Sequence, residues 1–140
     1  MTVQFHYQAK VNIRDRNKLR CFLLEIFQIE NTQVQDLQIV FCDDQYLLDI
    51  NKSFLNHNYF TDIITFDLSD SKTSPKIGEI YISIDTVKEH AVLYNTTTYK
   101  ELHRVIFHGV LHLCGYKDKS KKDFNLMKQK EDYYLSLYFI

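Results

Sequence analysis

Little in this chain breaks or loosens structure. Among 140 residues there are only 3 glycines and 1 proline, and no repeat or low-complexity run, which excludes a collagen-like, linker-like or disordered chain. With 45% hydrophobic residues the composition points instead to a compact, element-rich fold, and a single domain over residues 1–140 is expected. No apolar run approaches the roughly 18 residues of a membrane span, so no membrane partner is expected. The opening Met-Thr-Val-Gln-Phe-His-Tyr lacks the basic start and apolar core of a signal peptide, which makes the cytoplasm the expected location. Cysteine is scarce too: Cys21, Cys42 and Cys114 are odd in number and far apart, arguing for reduced, mostly buried thiols rather than a disulfide framework. A formal net charge of −1 supplies no global attraction to nucleic acid. Charge is nevertheless segregated, because Lys117, Lys119, Lys121, Lys122, Lys128 and Lys130 crowd one stretch near the C-terminus.

Periodicity predicts the elements. Val3, Phe5 and Tyr7 alternate with polar residues as a half-buried strand, and Leu37, Ile39 and Phe41 mark another. Two more strands are expected near 62–68 and 78–85, joined through the polar 69–76 stretch that holds Pro75. Helices are predicted near 15–28, 43–55, 85–95, 99–114 and 121–138. Thr98-x-x-Glu101 and Ser120-x-x-Asp123 read as capping boxes for the last two, which makes Glu101 a capping residue, and Asp85 is placed as the N-cap of the helix it precedes. Strands early and helices late predict an α+β fold, a mixed four-stranded sheet packed with about five helices.

The chemistry concentrates in His108-Gly-Val-Leu-His112-Leu-Cys-Gly115-Tyr-Lys-Asp118. Side chains at i and i+4 are neighbours on a helix, so His108 and His112 can each aim one ring nitrogen at a common point. Gly115 can take positive φ, end the helix and let the chain return with Asp118. An H-x-x-x-H pair is expected by chance about 0.25 times in a chain of this composition, and the pair with its glycine and third donor about 0.001 times, so the constellation is specific. Three ligands leave one position open on Zn²⁺, the mark of a catalytic site. By helical spacing both histidines fall on the flank of the stripe Leu102, Val105, Ile106, Val110 and Leu113, so they should line a cleft edge.

Metzincin peptidases use H-E-x-x-H-x-x-G-x-x-H, and this helix is metzincin-like in its histidines and glycine. Gly109 stands where those enzymes carry the general base, which disfavours peptide hydrolysis. A metal-bound water could still attack a phosphate ester, with no side chain assigned as catalytic. Two other enzyme readings use the same donors, a metzincin-type metallopeptidase and a non-haem iron enzyme with a two-histidine, one-carboxylate triad, and a third is a binding protein whose metal is structural, which the family resemblance given below would make a ribosome-assembly protein. Thr61 and Asp62 either cap a turn or face substrate. His6, His90 and His103 read as surface or internally satisfied histidines.

On these residues the chain resembles the YbeY endoribonucleases, also called rRNA maturation factors. His108-Gly-Val-Leu-His-Leu-Cys-Gly-Tyr116 aligns without a gap with that family's H-G-x-L-H-L-x-G-Y-D-H. Ile50-Asn51 through Thr61-Asp62-Ile-Ile-Thr-Phe66 is similar to L-N-x-x-Y-R followed by T-D-V-L-S-F, and Gly78-Glu79-Ile80 is similar to G-D-I. The resemblance implies a metal-dependent, single-strand-specific endoribonuclease acting in 16S rRNA 3′-end maturation and ribosome quality control. It implies ribosomal RNA and the small ribosomal subunit as partners, one zinc ion per chain, and metal ligands His108, His112 and, in place of a family histidine, Asp118. The family's arginine aligns with Leu55, leaving His57 or Lys52 as the expected compensating cation.

Overall fold

Asp15, Asp43, Ser83, Thr97 and Ser120 each accept a hydrogen bond at the side chain from a backbone N–H of the first helical turn, and a helix begins at each. These helices are α1 (Arg16–Ile29), α2 (Asp44–Leu55), α3 (Ile84–Leu93), α4 (Thr98–Leu113) and α5 (Lys121–Tyr138). The strands are β1 (Thr2–Tyr7), β2 (Val34–Cys42), β3 (Ile63–Asp67) and β4 (Lys76–Ser83). The structure is a computed structural model and describes residues 2–140. The strands form one sheet in the order β1-β2-β4-β3, with β1 and β4 parallel to β2 and β3 antiparallel to β4. The α+β class, the mixed four-stranded sheet and the five helices agree with the sequence expectation. No helix among the described residues is long and apolar enough to cross a membrane.

The sheet is covered unequally on its two faces. Val3, Leu37, Ile39, Phe41, Ile80 and Ile82 join the main core with α1, α4 and α5, each fully buried Leu, Ile or Phe contributing about 1.5–3 kcal/mol. Cys42 and Ile64 point the other way, into a smaller cluster with Leu47 of α2. Two of the chain's glycines govern how α4 meets the sheet. A Cβ at Gly109 would lie 2.9 Å from both Ile63 and Ile80, and one at Gly78 would lie 2.6 Å from Leu113, so α4 sits flush on β3 and β4. Its opposite flank is left for the site.

Several local expectations are corrected. Asp85 does not cap α3; Ser83 does, and Asp85 instead accepts from the backbone N–H of Asp44, tying α2 to α3. The cap of α4 is Thr97 rather than Thr98, which puts Lys100 in the box's third position. Glu101 is thereby freed from the cap and is buried. Cys21 is exposed, because it falls on the outer face of α1, while Cys42 is buried and Cys114 partly so. Tyr7, at the end of edge strand β1, is exposed rather than half-buried.

Candidate metal centre

Helix α4 ends in a Schellman turn. Gly115 has φ +103°, the Gly115 N–H donates to His112 O at 3.0 Å, and the Tyr116 N–H donates to Leu111 O at 3.0 Å. The reversal returns Asp118 to the histidines. Nε2 of His108 lies 3.0 Å from Nε2 of His112, and Asp118 Oδ2 lies 3.2 and 3.3 Å from the two. A cation 2.0–2.2 Å from each of three tetrahedral ligands separates them by roughly 3.3–3.5 Å, close to these spacings.

The outer nitrogens explain why the inner ones face each other. His112 Nδ1 lies 2.9 Å from the Tyr116 carbonyl, which can only accept, so the ring's hydrogen belongs on Nδ1 and Nε2 presents a lone pair. His108 Nδ1 lies 2.6 Å from Glu131 Oε2, which assigns its hydrogen in the same way. Two lone pairs and a carboxylate oxygen thus converge with no hydrogen between them, a donor set that fits a divalent cation. Burial opposes protonation of His108, but the Glu131 carboxylate, with Asp118 and Asp62 farther off, outweighs it and raises its pKa.

Glu131 also accepts from Arg104 Nη1 at 3.0 Å, while Arg104 Nη2 donates to Asp132 at 2.6 Å. Burial works against the guanidinium charge, and these two carboxylates more than restore it. Glu101 lies one turn before Arg104, 4.0 Å from its Nε; burial raises the Glu101 pKa although Arg104 counteracts it. A second anchor sits behind the turn. Glu30 at the end of α1 accepts from Tyr116 Oη at 2.7 Å, from Tyr134 Oη and from Lys130 Nζ at 3.3 Å. Since Tyr116 supplies the carbonyl that holds His112, Glu30 supports one metal-facing ring at second hand.

The three groups open onto a cleft of about 990 Å³ that runs along α4, walled by β3 on one side and α5 on the other. Thr61 and Asp62 both line it; the Thr61 hydroxyl also donates within the turn to Ile63 O at 3.3 Å, and Asp62 reaches His90 Nδ1 at 3.7 Å. The cations lining it are Lys100, Arg104 and Lys128. Of the six lysines grouped in the sequence only Lys128 reaches the cleft; Lys130 is turned to Glu30, and the others do not line it. Leu55, Lys52 and His57 are not in the cleft wall, and His57 is engaged with Tyr59 Oη at 3.0 Å. The cation nearest the histidines along the chain is Arg104, one turn before His108. His103 is neither at the surface nor fully satisfied: it is wholly buried, Nδ1 meets Tyr99 O at 2.7 Å, and Nε2 has no partner.

Sequence reasoning missed Glu131, Glu30 and Arg104. A signal existed for Glu131, which interrupts the buried stripe Met127, Tyr134, Tyr138 of α5 with a carboxylate. No comparable signal marks Glu30, whose partners lie 86 and 104 residues away.

The chain is similar to known proteins over nearly its whole length. Residues 4–138 match the family described as Endoribonuclease YbeY. A protein of Cytophaga hutchinsonii named Endoribonuclease YbeY is 47% identical over 95% of this chain and 92% of its own length. Another of that name, from Flavobacterium psychrophilum, is 41% identical over 99% of this chain and 97% of its own. A solution structure from Thermotoga maritima superposes with a TM-score of 0.65 at 26% identity, covering 97% of this chain and 89% of that one.

Proposed function

The chain belongs to the endoribonuclease YbeY family, and from that premise we propose that it is a metal-dependent, single-strand-specific endoribonuclease, one domain over residues 1–140. We place it in ribosomal RNA processing, at the 3′ end of 16S rRNA, and in ribosome quality control, with the small ribosomal subunit as partner and the cytoplasm as location. Its metal is one zinc ion per chain, held by His108, His112 and Asp118. The observation that carries the reading is the convergence of two imidazole lone pairs and one carboxylate oxygen, 3.0 to 3.3 Å apart, at the wall of an open cleft.

Zinc bound there would supply a Lewis acid, acidifying water toward a pKa of about 7 and countering charge on phosphoryl oxygens. The chain's own residues hold and orient. Glu131 and the Tyr116 carbonyl keep each ring's hydrogen on Nδ1, leaving Nε2 free to ligate. Arg104, charged and steadied by Glu131 and Asp132, offers a cation in the cleft that Leu55 cannot. Gly109 argues against the peptidase alternative, because a glutamate there would be driven against Ile63 and Ile80.

The test is cleavage of single-stranded rRNA fragments by purified, zinc-loaded protein, with metal analysis of the same preparation. His112→Ala is expected to abolish cutting and bound zinc while leaving the far-ultraviolet circular dichroism unchanged. Undiminished cutting by that variant would overturn the assignment.

A further inference from the structure

We propose that the cleft carries two nucleotide subsites, one built on Phe124 beside the metal centre and one on Tyr94 at the far end. The inference rests on reading the cleft as an RNA site and adds which side chains receive the bases. Two aromatic rings line the cleft, and both are turned out to solvent: Tyr94 is 61% exposed and Phe124 is 55% exposed. Of the other aromatic residues of α5, Tyr134 and Tyr138 are packed in the core and Tyr133, though 49% exposed, does not line the cleft. Tyr94 is the C-cap of α3 and Phe124 stands in the first turn of α5, six residues after Asp118.

Each ring has a cation of its own. Lys128 follows Phe124 by one turn on α5, and Lys100 follows Tyr94 across the α3–α4 turn; both lysines line the cleft. The lysine ion pairs among the described residues are Lys76–Asp67 and Lys130–Glu30, so neither Lys100 nor Lys128 is neutralised. A face for a base and a free charge for a phosphate, side by side, are what a nucleotide of a single strand requires. The pairing occurs twice, and the two copies are spaced along α4: from Lys100 to His112 is twelve residues, or roughly 18 Å. Arg104 lies between them. Every base offers a π-face, so these subsites favour unpaired strands without reading their sequence. They also reconcile a net charge of −1 with an RNA substrate, because the cations are few and local.

Binding is measured by anisotropy with a short, unstructured, labelled oligoribonucleotide on the full chain carrying His112→Ala, so that the RNA survives. Adding Tyr94→Ala or Phe124→Ala weakens binding about 5- to 150-fold each, while Tyr94→Phe and Phe124→Tyr keep it within about twofold. Lys100→Gln with Lys128→Gln reduces the slope of log affinity against log salt by about 1.4, and the alanine variants leave that slope unchanged. An oligonucleotide abasic at the contacted positions binds weakly and is indifferent to loss of the rings. RNA that is cut by the zinc-loaded wild-type protein but binds the ring-less variants as tightly as their parent overturns the subsites and spares the nuclease reading. Equal binding of the abasic strand does the same. RNA neither bound nor cut overturns both.

Discussion

Glu131→Gln is the sharpest test of how the metal centre is held. The carboxylate has one oxygen for each neighbour: Oε2 is 2.6 Å from His108 Nδ1 and Oε1 is 3.0 Å from Arg104 Nη1. Both neighbours donate. A glutamine of the same shape has one accepting oxygen and one donating NH₂, so either His108 or Arg104 must face a donor. If Arg104 keeps the oxygen, His108 loses the partner that fixes its tautomer, and zinc affinity should fall 10- to 100-fold, about 1.4–2.7 kcal/mol. The metal-free fold should lose roughly 1–3 kcal/mol, toward the lower end because Arg104 retains Asp132 at 2.6 Å. Competition against a chromophoric zinc chelator reads the first number and urea unfolding of the metal-free protein reads the second. Asp132→Asn is the control: the carboxylate is largely exposed and touches Arg104 but neither histidine, so zinc affinity should not move. Zinc binding by Glu131→Gln within twofold of wild type would refute the claim that this carboxylate orients His108.

His103→Phe should reduce acid sensitivity. Burial holds the His103 pKa down to about 4, so the neutral ring is the folded form, while the unfolded chain takes up a proton near pH 6.5. Stability is therefore fully present above pH 6.5 and is lost as pH falls toward 4, by about 3 kcal/mol, and urea midpoints of the phenylalanine variant should be flatter across that window. Glu30→Gln should cost about 1.5–3 kcal/mol at pH 7. Burial pushes the Glu30 pKa up, but Tyr134, Tyr116 and Lys130 together bring it below the ordinary value, so its contribution is present above about pH 4.3 and fades below it. The wild-type and Glu30→Gln melting curves should accordingly converge in acid, and a gap that persists there would contradict the account. Gly109→Ala should cost about 1 kcal/mol net, overpacking against Ile63 and Ile80 outweighing the gain in helix propensity. Gly109→Glu should prevent α4 from seating on the sheet, which a thermal melt near that of wild type would disprove.

What could be read in the sequence was whatever a short stretch of backbone decides. His108, His112, Gly115 and Asp118 occupy eleven consecutive residues, and helical spacing with one left-handed turn is enough to bring them together. The strands and helices followed from periods of two and 3.6, and errors arose where neighbouring polar residues competed for one cap: Thr97 displaced Thr98, and Ser83 displaced Asp85. Tertiary structure alone decided the rest. It carried Glu131, 23 residues downstream, to the back of His108, and it set Glu30, the C-cap of α1, under the turn that holds His112. It kept Leu55, Lys52 and His57 out of the cleft wall and put Arg104 there instead. Such relations depend on which faces of distant elements bury one another, and Gly78 and Gly109 reveal their purpose only when α4 lies against β3 and β4 with no room for a Cβ between them.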